Sequence, residues 1–374
     1  MIKLIGLANF KCFEKLELTC APLTLLCGVN GMGKSSVIQA IMVLRQSFQS
    51  GELSRGRLVL SGDLVDLGTG QDVLREEAEE EQIIFELQSA RIPRACRLSF
   101  EYSRMGDELR TSRGVASPGV EVGTEWEAVP PFGGSVVHVS ADRIGPRKFY
   151  DRSEVRARQG DLGSRGEYAL SFIHAREGAT IPPYDARVED APRSRLIDVI
   201  NHWLQEITPG VHLEIQTVQQ ADAVIAGFSF DRPDDVPSRA YRATNVGFGL
   251  SYTLPVLAAL FSAKGTLCLV ENPEAHLHPR GQTKLGELAV RAALAGVQVV
   301  AETHSDHFID GVRIAVRDSL IAPDSVAIHY FERHGTETVV RSPELDSDGR
   351  LSFWPDGFFD QHEKNLARLL APSS

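Results

Sequence analysis

The stretch Gly28-Val29-Asn30-Gly31-Met32-Gly33-Lys34-Ser35 constrains this chain more than any other. It has the spacing G-x-x-x-x-G-K-[ST], follows the apolar run 22–27, and precedes Val37, Ile38, Ile41, Met42 and Leu44, which recur at helical spacing. Strand, glycine turn and helix in that order make a phosphate-binding loop. Glycines let the backbone curl until successive N–H groups and the helix N-terminus aim at one anion. Lys34 is then placed to reach β- and γ-phosphates, and the Ser35 hydroxyl to ligate Mg²⁺. Asn30, Gly31, Met32, Gly33, Lys34, Ser35 and Ser36 are the candidate nucleotide-binding residues, with ATP and Mg²⁺ as the expected ligands.

Two further stations follow buried-strand patterns. The run 267–270 delivers Glu271, the candidate to complete the Mg²⁺ shell with Ser35, and then Asn272 and Glu274. The run 297–301 leads to Glu302, Thr303 and His304, and a histidine at such a tip is a candidate to bond the γ-phosphate and report its loss.

Strands alternating with helices predict a largely parallel sheet covered on both faces, an α/β fold. Residues 194–207 and 282–296 read as helices, the latter ended by Gly296, and another helix is expected from about Asp306 to Arg317. The apolar helix near 250–261 carries Pro255, expected in its first turns. The acidic run 76–81 reads as a solvated turn. Between 83 and 240 the pattern is mixed, without the heptads of a coiled-coil arm. The predicted organisation is a head built from 1–75 and 241–340, an inserted α+β lobe at 76–240, and a segment 341–374 packed on the head.

Composition narrows the rest. With 39 Lys plus Arg against 50 Asp plus Glu, the net charge of −11 excludes a generic nucleic-acid binder, so any DNA contact needs a local patch. The first residues lack the order of a secretion signal, and no window reaches the apolar length of a membrane span. Five scattered cysteines fit neither a disulfide frame nor a zinc ribbon, and a reducing cytoplasm is expected.

The phosphate loop, ENPEAHLHP (271–279), ETHSD (302–306) and NVGFGLSYTLPVL (245–257) together resemble an ABC-type ATPase. The resemblance is to RecF, SMC and overcoming-lysogenization-defect ATPases, and especially to small prokaryotic AAA-like ATPases that share VSADRIGPR (139–147) and FWPDGFFDQ (353–361). It covers about 1–48, 136–150, 243–312 and the tail, and implies a P-loop NTPase head with a mixed sheet and an inserted lateral lobe. It also implies a homodimer that sandwiches two ATPs, with Gly247, Gly249 and Ser251 of one head capping the γ-phosphate held by the other. Small residues opening a helix suit an anion.

Two departures stand out against these relatives. Asn272 occupies the usual position of the general base, and asparagine orients water but cannot accept its proton. Either Glu274 takes that role or hydrolysis is slow. The signature also lacks the Ser-Gly-Gly form. The implied function is an ATP-dependent switch controlling a partner effector, encoded nearby, in prokaryotic anti-phage or plasmid defence. The alternative is a RecF-like DNA-binding ATPase in repair or genome maintenance.

Other clusters receive plainer readings. His276, His278, His304 and His307 have chelating spacings, but the motifs above account for them and no cysteine accompanies them. Asp346 and Asp348 look like a nuclease pair, yet an Asp-Ser-Asp-Gly turn suffices. Arg143, Arg147, Lys148, Arg152, Arg156 and Arg158 stand against Asp151 and Glu154; either they touch nucleic-acid phosphates or they pair with nearby acids, and Arg143 or Arg147 could instead sense nucleotide.

Overall fold

Five parallel strands decide where everything else goes in the computed structural model, which describes residues 1–111, 126–127, 129–188, 191–233, 236–335, 337–354 and 361–370. From the amino terminus, β1 (Ile2–Phe10) and β2 (Phe13–Thr19) form a hairpin and β3 (Leu23–Gly28) leads into α1 (Lys34–Gln49). Then come β4 (Arg57–Val59), α2 (Gly70–Val73), β5 (Gln82–Ser89), β6 (Cys96–Glu101) and β7 (Glu108–Thr111). The middle third holds β8 (Val136–Val139), β9 (Tyr150–Asp151), α3 (Glu154–Gln159), α4 (Ala169–Ala175), α5 (Leu196–Ile207), β10 (Val211–Val218), β11 (Ala223–Phe230) and β12 (Tyr241–Arg242). The last third runs α6 (Phe248–Leu260), β13 (Leu267–Glu271), α7 (Pro279–Leu294), β14 (Gln298–Glu302) and α8 (Asp306–Arg317). It ends with β15 (Val326–His334), β16 (Glu337–Arg341) and α9 (Gln361–Leu370).

The central sheet has the order β16-β15-β3-β14-β13-β8, parallel throughout except for β16. Its strands alternate faces, as period-two side chains must. Leu269 and Val300 join the cluster containing Val37, Ile38 and Ile41 of α1, while Cys268, Val270, Val299 and Ala301 join Leu254, Leu285, Leu288 and Phe308 of α6, α7 and α8. Burial on both faces is why these strands read as continuous apolar runs. Because the strands are parallel, β3, β14, β13 and β8 all deliver their carboxyl ends to one edge, where ligands bind in open α/β sheets.

A second, antiparallel sheet runs β2-β1-β5-β6-β7-β4, and a third is built from β10, β11 and β12 with β9 also paired to β11. The segment 76–240 therefore does not stay together as the single lobe drawn from sequence. Strands β5, β6 and β7 complete the N-terminal sheet and β8 forms an edge of the central one. The stretch from β9 to β12 supplies the third sheet, with α5 packed against α7, and shares one apolar core with the central sheet. Alternation in 83–87 or 96–102 identifies a strand but not its partner, since pairing depends on contacts distant in sequence.

Local expectations survive in most places. The acidic residues of 76–81 are exposed, and α8 starts at Ser305, whose hydroxyl accepts from Phe308 N at 2.9 Å. Pro255 differs: it is interior to α6 rather than in its first turns. Its missing N–H leaves the Ser251 carbonyl without the usual helical donor. Residues 341–354 follow α8, where Arg313 Nε donates to the Gly349 carbonyl at 2.8 Å. Of the 353–361 motif, Phe353 and Trp354 are exposed and 355–360 lie outside the described residues. Among the described residues no helix is long and apolar enough to cross a membrane.

Helices α7 and α8 pack so closely that a Cβ on Gly286 would lie 2.2 Å from the Phe308 carbonyl oxygen, and one on Gly311 2.1 Å from that of Thr283. Either glycine-to-alanine change must push the helices apart. Gly286→Ala and Gly311→Ala are each expected to lower unfolding free energy by on the order of 2–3 kcal/mol. Gly178→Ala, which meets nothing within 4 Å, should stay within about 0.5 kcal/mol of wild type. Denaturant midpoints decide it, and unchanged midpoints for both helix variants would contradict the tight crossing.

Candidate functional site

The phosphate loop is shaped by backbone that only glycine accepts easily. Gly28 has φ +131°, and a Cβ there would sit 2.2 Å from the Phe331 carbonyl oxygen; Gly33, at φ +90°, would meet Cys12 Sγ at 2.4 Å. The turn that leads into α1 therefore lies flush against both β15 and the β1–β2 hairpin. Lys34 opens α1 and is 2% exposed. Its Nζ donates to the carbonyls of Gly28 at 3.0 Å and Val29 at 2.7 Å, and stands 4.0 Å from Glu302 Oε1. Burial pulls the ammonium's pKa down, and the Glu302 charge opposes that.

These groups border a cavity of about 460 Å³. Asn30, Gly31, Gly33, Lys34, Ser35 and Ser36 line it from the loop, and Glu271, Asn272, Glu302 and His304 from the ends of β13 and β14. Met32 is absent from that lining and packs partly buried on the apolar cluster. Glu271 and Glu302 are register partners on adjacent parallel strands.

The carboxylates differ in what holds them. Glu271 Oε1 is bonded to His138 Nε2 at 2.9 Å and Oε2 accepts from Ala141 N at 3.3 Å. Glu302 is raised in pKa by burial, an effect reduced by a hydrogen bond with Ser35 and increased by the Glu271 charge. Its Oε2 has no partner among the described residues, and neither has Asn272 Oδ1. Asn272 adopts φ +46°, within the left-handed region that asparagine tolerates, and its N–H donates to the Glu302 carbonyl at 2.8 Å. Arg143, 2% exposed, donates to the Asn272 carbonyl, and burial pushes the guanidinium down to about 10, still charged at neutral pH.

Glu274 is not at the cavity. Its two oxygens accept from Thr303 Oγ1 at 2.8 Å and His304 N at 2.7 Å, and burial raises its pKa. It fixes the β14 turn that carries His304. That imidazole is lowered in pKa by burial first and the Lys34 charge second, against a hydrogen bond with the Gly28 backbone, so it is neutral at pH 7.

The α6 residues lie apart from this cavity in the chain. Gly247 caps α6 and is exposed; Gly249 allows α6 to approach the His276 carbonyl, which an added Cβ would meet at 2.5 Å. Ser251 is 3% exposed, and its hydroxyl has no partner among the described residues. Among the histidines with chelating spacings, His276 stacks edge-on to Tyr252 at 4.6 Å and His278 caps α7.

Several site residues carry no local sequence signal. His138 reaches Glu271 because β8 pairs with β13, Lys11 and Cys12 line the cavity from the β1–β2 turn, and Lys11 Nζ donates to Gln39 Oε1 at 2.7 Å. Positive φ at Asn9 and Lys11 marks that turn as specialised. The donor set fits the expected ligands. Backbone N–H groups of the loop and Lys34 suit phosphates. Hard oxygens of Ser35 and Glu271, beside the unpartnered Glu302 and Asn272 oxygens, suit a hard divalent cation.

Phosphate loop, sheet order and acidic strand ends define a P-loop ATPase head. A family model described as "AAA domain, putative AbiEii toxin, Type IV TA system" matches residues 23–310, and the chain belongs to that family. A second model, "Protein of unknown function (DUF3696)", matches 321–369. No curated protein matches the chain. Among solved structures, the SMC head bound to the C-terminal winged-helix domain of ScpA is similar at 14% identity and TM-score 0.54, covering 92% of this chain and 98% of that one. The SMC head domain from Thermotoga maritima shows 13% identity and TM-score 0.45, covering 92% and 99%. An Smc head with an extended coiled coil, bound to the C-terminal domain of ScpA derived from Pyrococcus furiosus, shows 14% and 0.49, covering 99% of each. The first likeness shows the fold.

A buried acid with a raised pKa keeps its proton in the folded state at pH values where the unfolded chain has released it. Stability contributed by Glu302 therefore falls as pH rises above its ordinary 4.5 and is lowest once the group ionises. Glu302→Gln is expected to unfold at a higher denaturant concentration than wild type at pH 8, with the gap narrowing toward pH 5. A gap that widens on acidification would contradict the buried-carboxylate account.

Proposed function

We propose that this chain is an ATP-held switch: two heads close on two nucleotides, hydrolysis is slow, and the nucleotide state is passed to a partner effector in prokaryotic defence against phage or plasmids. The observation that carries the reading is the convergence of Lys34, Ser35, Glu271, Glu302 and His304 on one cavity at the carboxyl edge of the sheet. Loop N–H groups and Lys34 hold the triphosphate, Ser35 and Glu271 hold Mg²⁺, and the neutral His304 bonds the γ-phosphate. A cation held there would supply positive charge to the phosphoryl oxygens.

In hydrolysis a water oxygen bonds to the γ-phosphorus, the bond to the β,γ-bridging oxygen breaks, ADP leaves, and the water's proton passes to an oxygen of the released phosphate unless a side chain takes it. Asn272 lines the cavity and orients water without accepting that proton, and Glu274 has both oxygens engaged elsewhere. Slow turnover follows. Gly247 and Gly249 stand outside their own chain's cavity, so they serve a nucleotide only when a second head brings them to it. Ser251, buried, acts in this arrangement by supporting the start of α6 rather than by presenting its hydroxyl.

The SMC head whose title records it bound to ScpA supports partner control, and the family's toxin–antitoxin description supports a defence setting. A cytoplasmic location accords with the free cysteines. The arginine-rich segment gives the DNA-binding alternative less than its composition suggests: Arg143 is buried, Arg152 pairs with Glu154, and Arg156 pairs with Asp161 at 2.7 Å.

Light scattering should show wild-type mass doubling with ATP and Mg²⁺ but not with ADP, while Lys34→Ala stays at the ADP value in both. Phosphate release should be slow and Mg²⁺-dependent, and should fall at least about ten-fold in Glu271→Gln. A mass indifferent to ATP, ADP and Lys34→Ala would contradict the switch.

A further inference from the structure

Arg143 is a buried cation whose donors are only partly engaged. The side chain is 2% exposed, its Nη2 donates to the Asn272 carbonyl, and its Nε and Nη1 are buried with no partner among the described residues. Its Cζ lies 5.8 Å from the centroid of the Tyr252 ring on α6. Donors withdrawn from water without acceptors cost stability, and an apolar side chain of similar length would fill the space without that cost. Packing alone therefore gives no reason for a guanidinium here.

The loop it holds supplies a reason. Between β13 and α7 two residues other than glycine sit in the left-handed region, Asn272 at φ +46° and His276 at φ +64°. Backbone of that kind persists where its surroundings over-determine it, and it gathers at functional sites. Both ends of the loop meet the same pair of side chains. At one end the Asn272 carbonyl accepts from Arg143 in addition to the Ala275 N–H at 3.1 Å. At the other, the His276 ring meets Tyr252 edge-on at 4.6 Å, and the His276 carbonyl oxygen lies 2.5 Å from where a Cβ on Gly249 would stand. Asn272 lines the nucleotide cavity, whereas Arg143 stands behind it and does not.

A side chain that orients water must itself be held, because a misplacement of about 1 Å at the reacting centre can cost about a hundred-fold in rate. The Asn272 N–H is already fixed by the Glu302 carbonyl at 2.8 Å, which leaves its carbonyl as the second point of control. A planar guanidinium suits that point, since it stays charged when buried and offers donors in a rigid fork, where lysine offers one ammonium on a flexible stem.

We propose that Arg143 is a positioning residue for phosphoryl transfer: it fixes the Asn272 carbonyl, and with it the left-handed turn that presents the Asn272 amide to the water attacking the γ-phosphorus. The assignment rests on the nucleotide-binding reading above and adds to it a residue that touches neither nucleotide nor metal.

Equilibrium binding of a fluorescent ATP analogue with Mg²⁺, and single-turnover release of phosphate from γ-labelled ATP, separate holding the nucleotide from reacting it. Arg143→Met is expected to bind the analogue within about three-fold of wild type and to release phosphate at least about ten-fold more slowly. Arg143→Lys, which keeps the charge without the fork, should fall between the two in rate. Asn272→Gly accepts the left-handed turn but has no side chain to present, and should be slowed at least as much as Arg143→Met. In the Asn272→Gly background Arg143→Met should cost less than about two-fold more, because the two changes remove one contribution. The same factor of loss in both backgrounds, an unslowed Asn272→Gly, or a loss confined to affinity overturns the proposal while leaving the nucleotide reading intact. A wild type that binds the analogue and releases no phosphate likewise overturns the positioning role alone. If Arg143→Met does not fold, Arg143→Lys is compared in the two backgrounds, and equal losses, or none, overturn the proposal. No analogue binding by wild type would overturn the nucleotide reading and this assignment with it.

Discussion

A lysine ammonium almost wholly withdrawn from water, placed opposite a buried carboxylate, is the constraint around which this head is organised. Lys34 and Glu302 belong to segments 268 residues apart in sequence, and they meet because β3 and β14 pair in parallel with Leu26 beside Glu302. Burial works against both ionised forms, and each charge partly offsets that cost for the other. The sheet must therefore hold its register to within a residue, and covering both faces with α1 on one side and α6, α7 and α8 on the other is what holds it.

From that register the cavity follows. Parallel strands end together, so one edge collects the phosphate loop, Glu271, Glu302 and the β8 turn. The turn after β13 is then stiffened from beneath. Arg143 donates to the Asn272 carbonyl and lies 5.8 Å from the Tyr252 ring of α6, while Tyr252 contacts His276 on the loop that Gly249 admits so closely. The end of β13 and the start of α6 are joined through buried contacts, giving the nucleotide cavity and the helix start that faces outward a shared support.

What could be read from the sequence was what short-range chemistry specifies. Gly28, Gly31 and Gly33 at fixed spacing between an apolar run and a helical pattern announce the phosphate loop, because positive φ and close approach are local requirements. Apolar runs ending at Glu271 and before Glu302 announce buried parallel strands. The resemblance to ABC-type ATPases supplied the α6 residues, which no local rule would single out. Illegible were features created by pairing across the chain: His138 beside Glu271, Lys11 and Cys12 at the cavity wall, and the division of 76–240 among three sheets. A strand's pattern gives its faces, not its neighbour. Glu274 shows the same limit from the other side, since its spacing suited chemistry and its contacts make it a brace for the His304 turn.

Calorimetric titration of the purified chain with ATP and Mg²⁺, run beside Lys34→Ala, tests the central claim most directly. Saturable binding of one nucleotide per chain, lost in the variant although its melting curve remains cooperative, is the expected result. Equal binding by both chains, or none by either, would contradict an account in which Lys34 and the acidic strand ends share one triphosphate cavity.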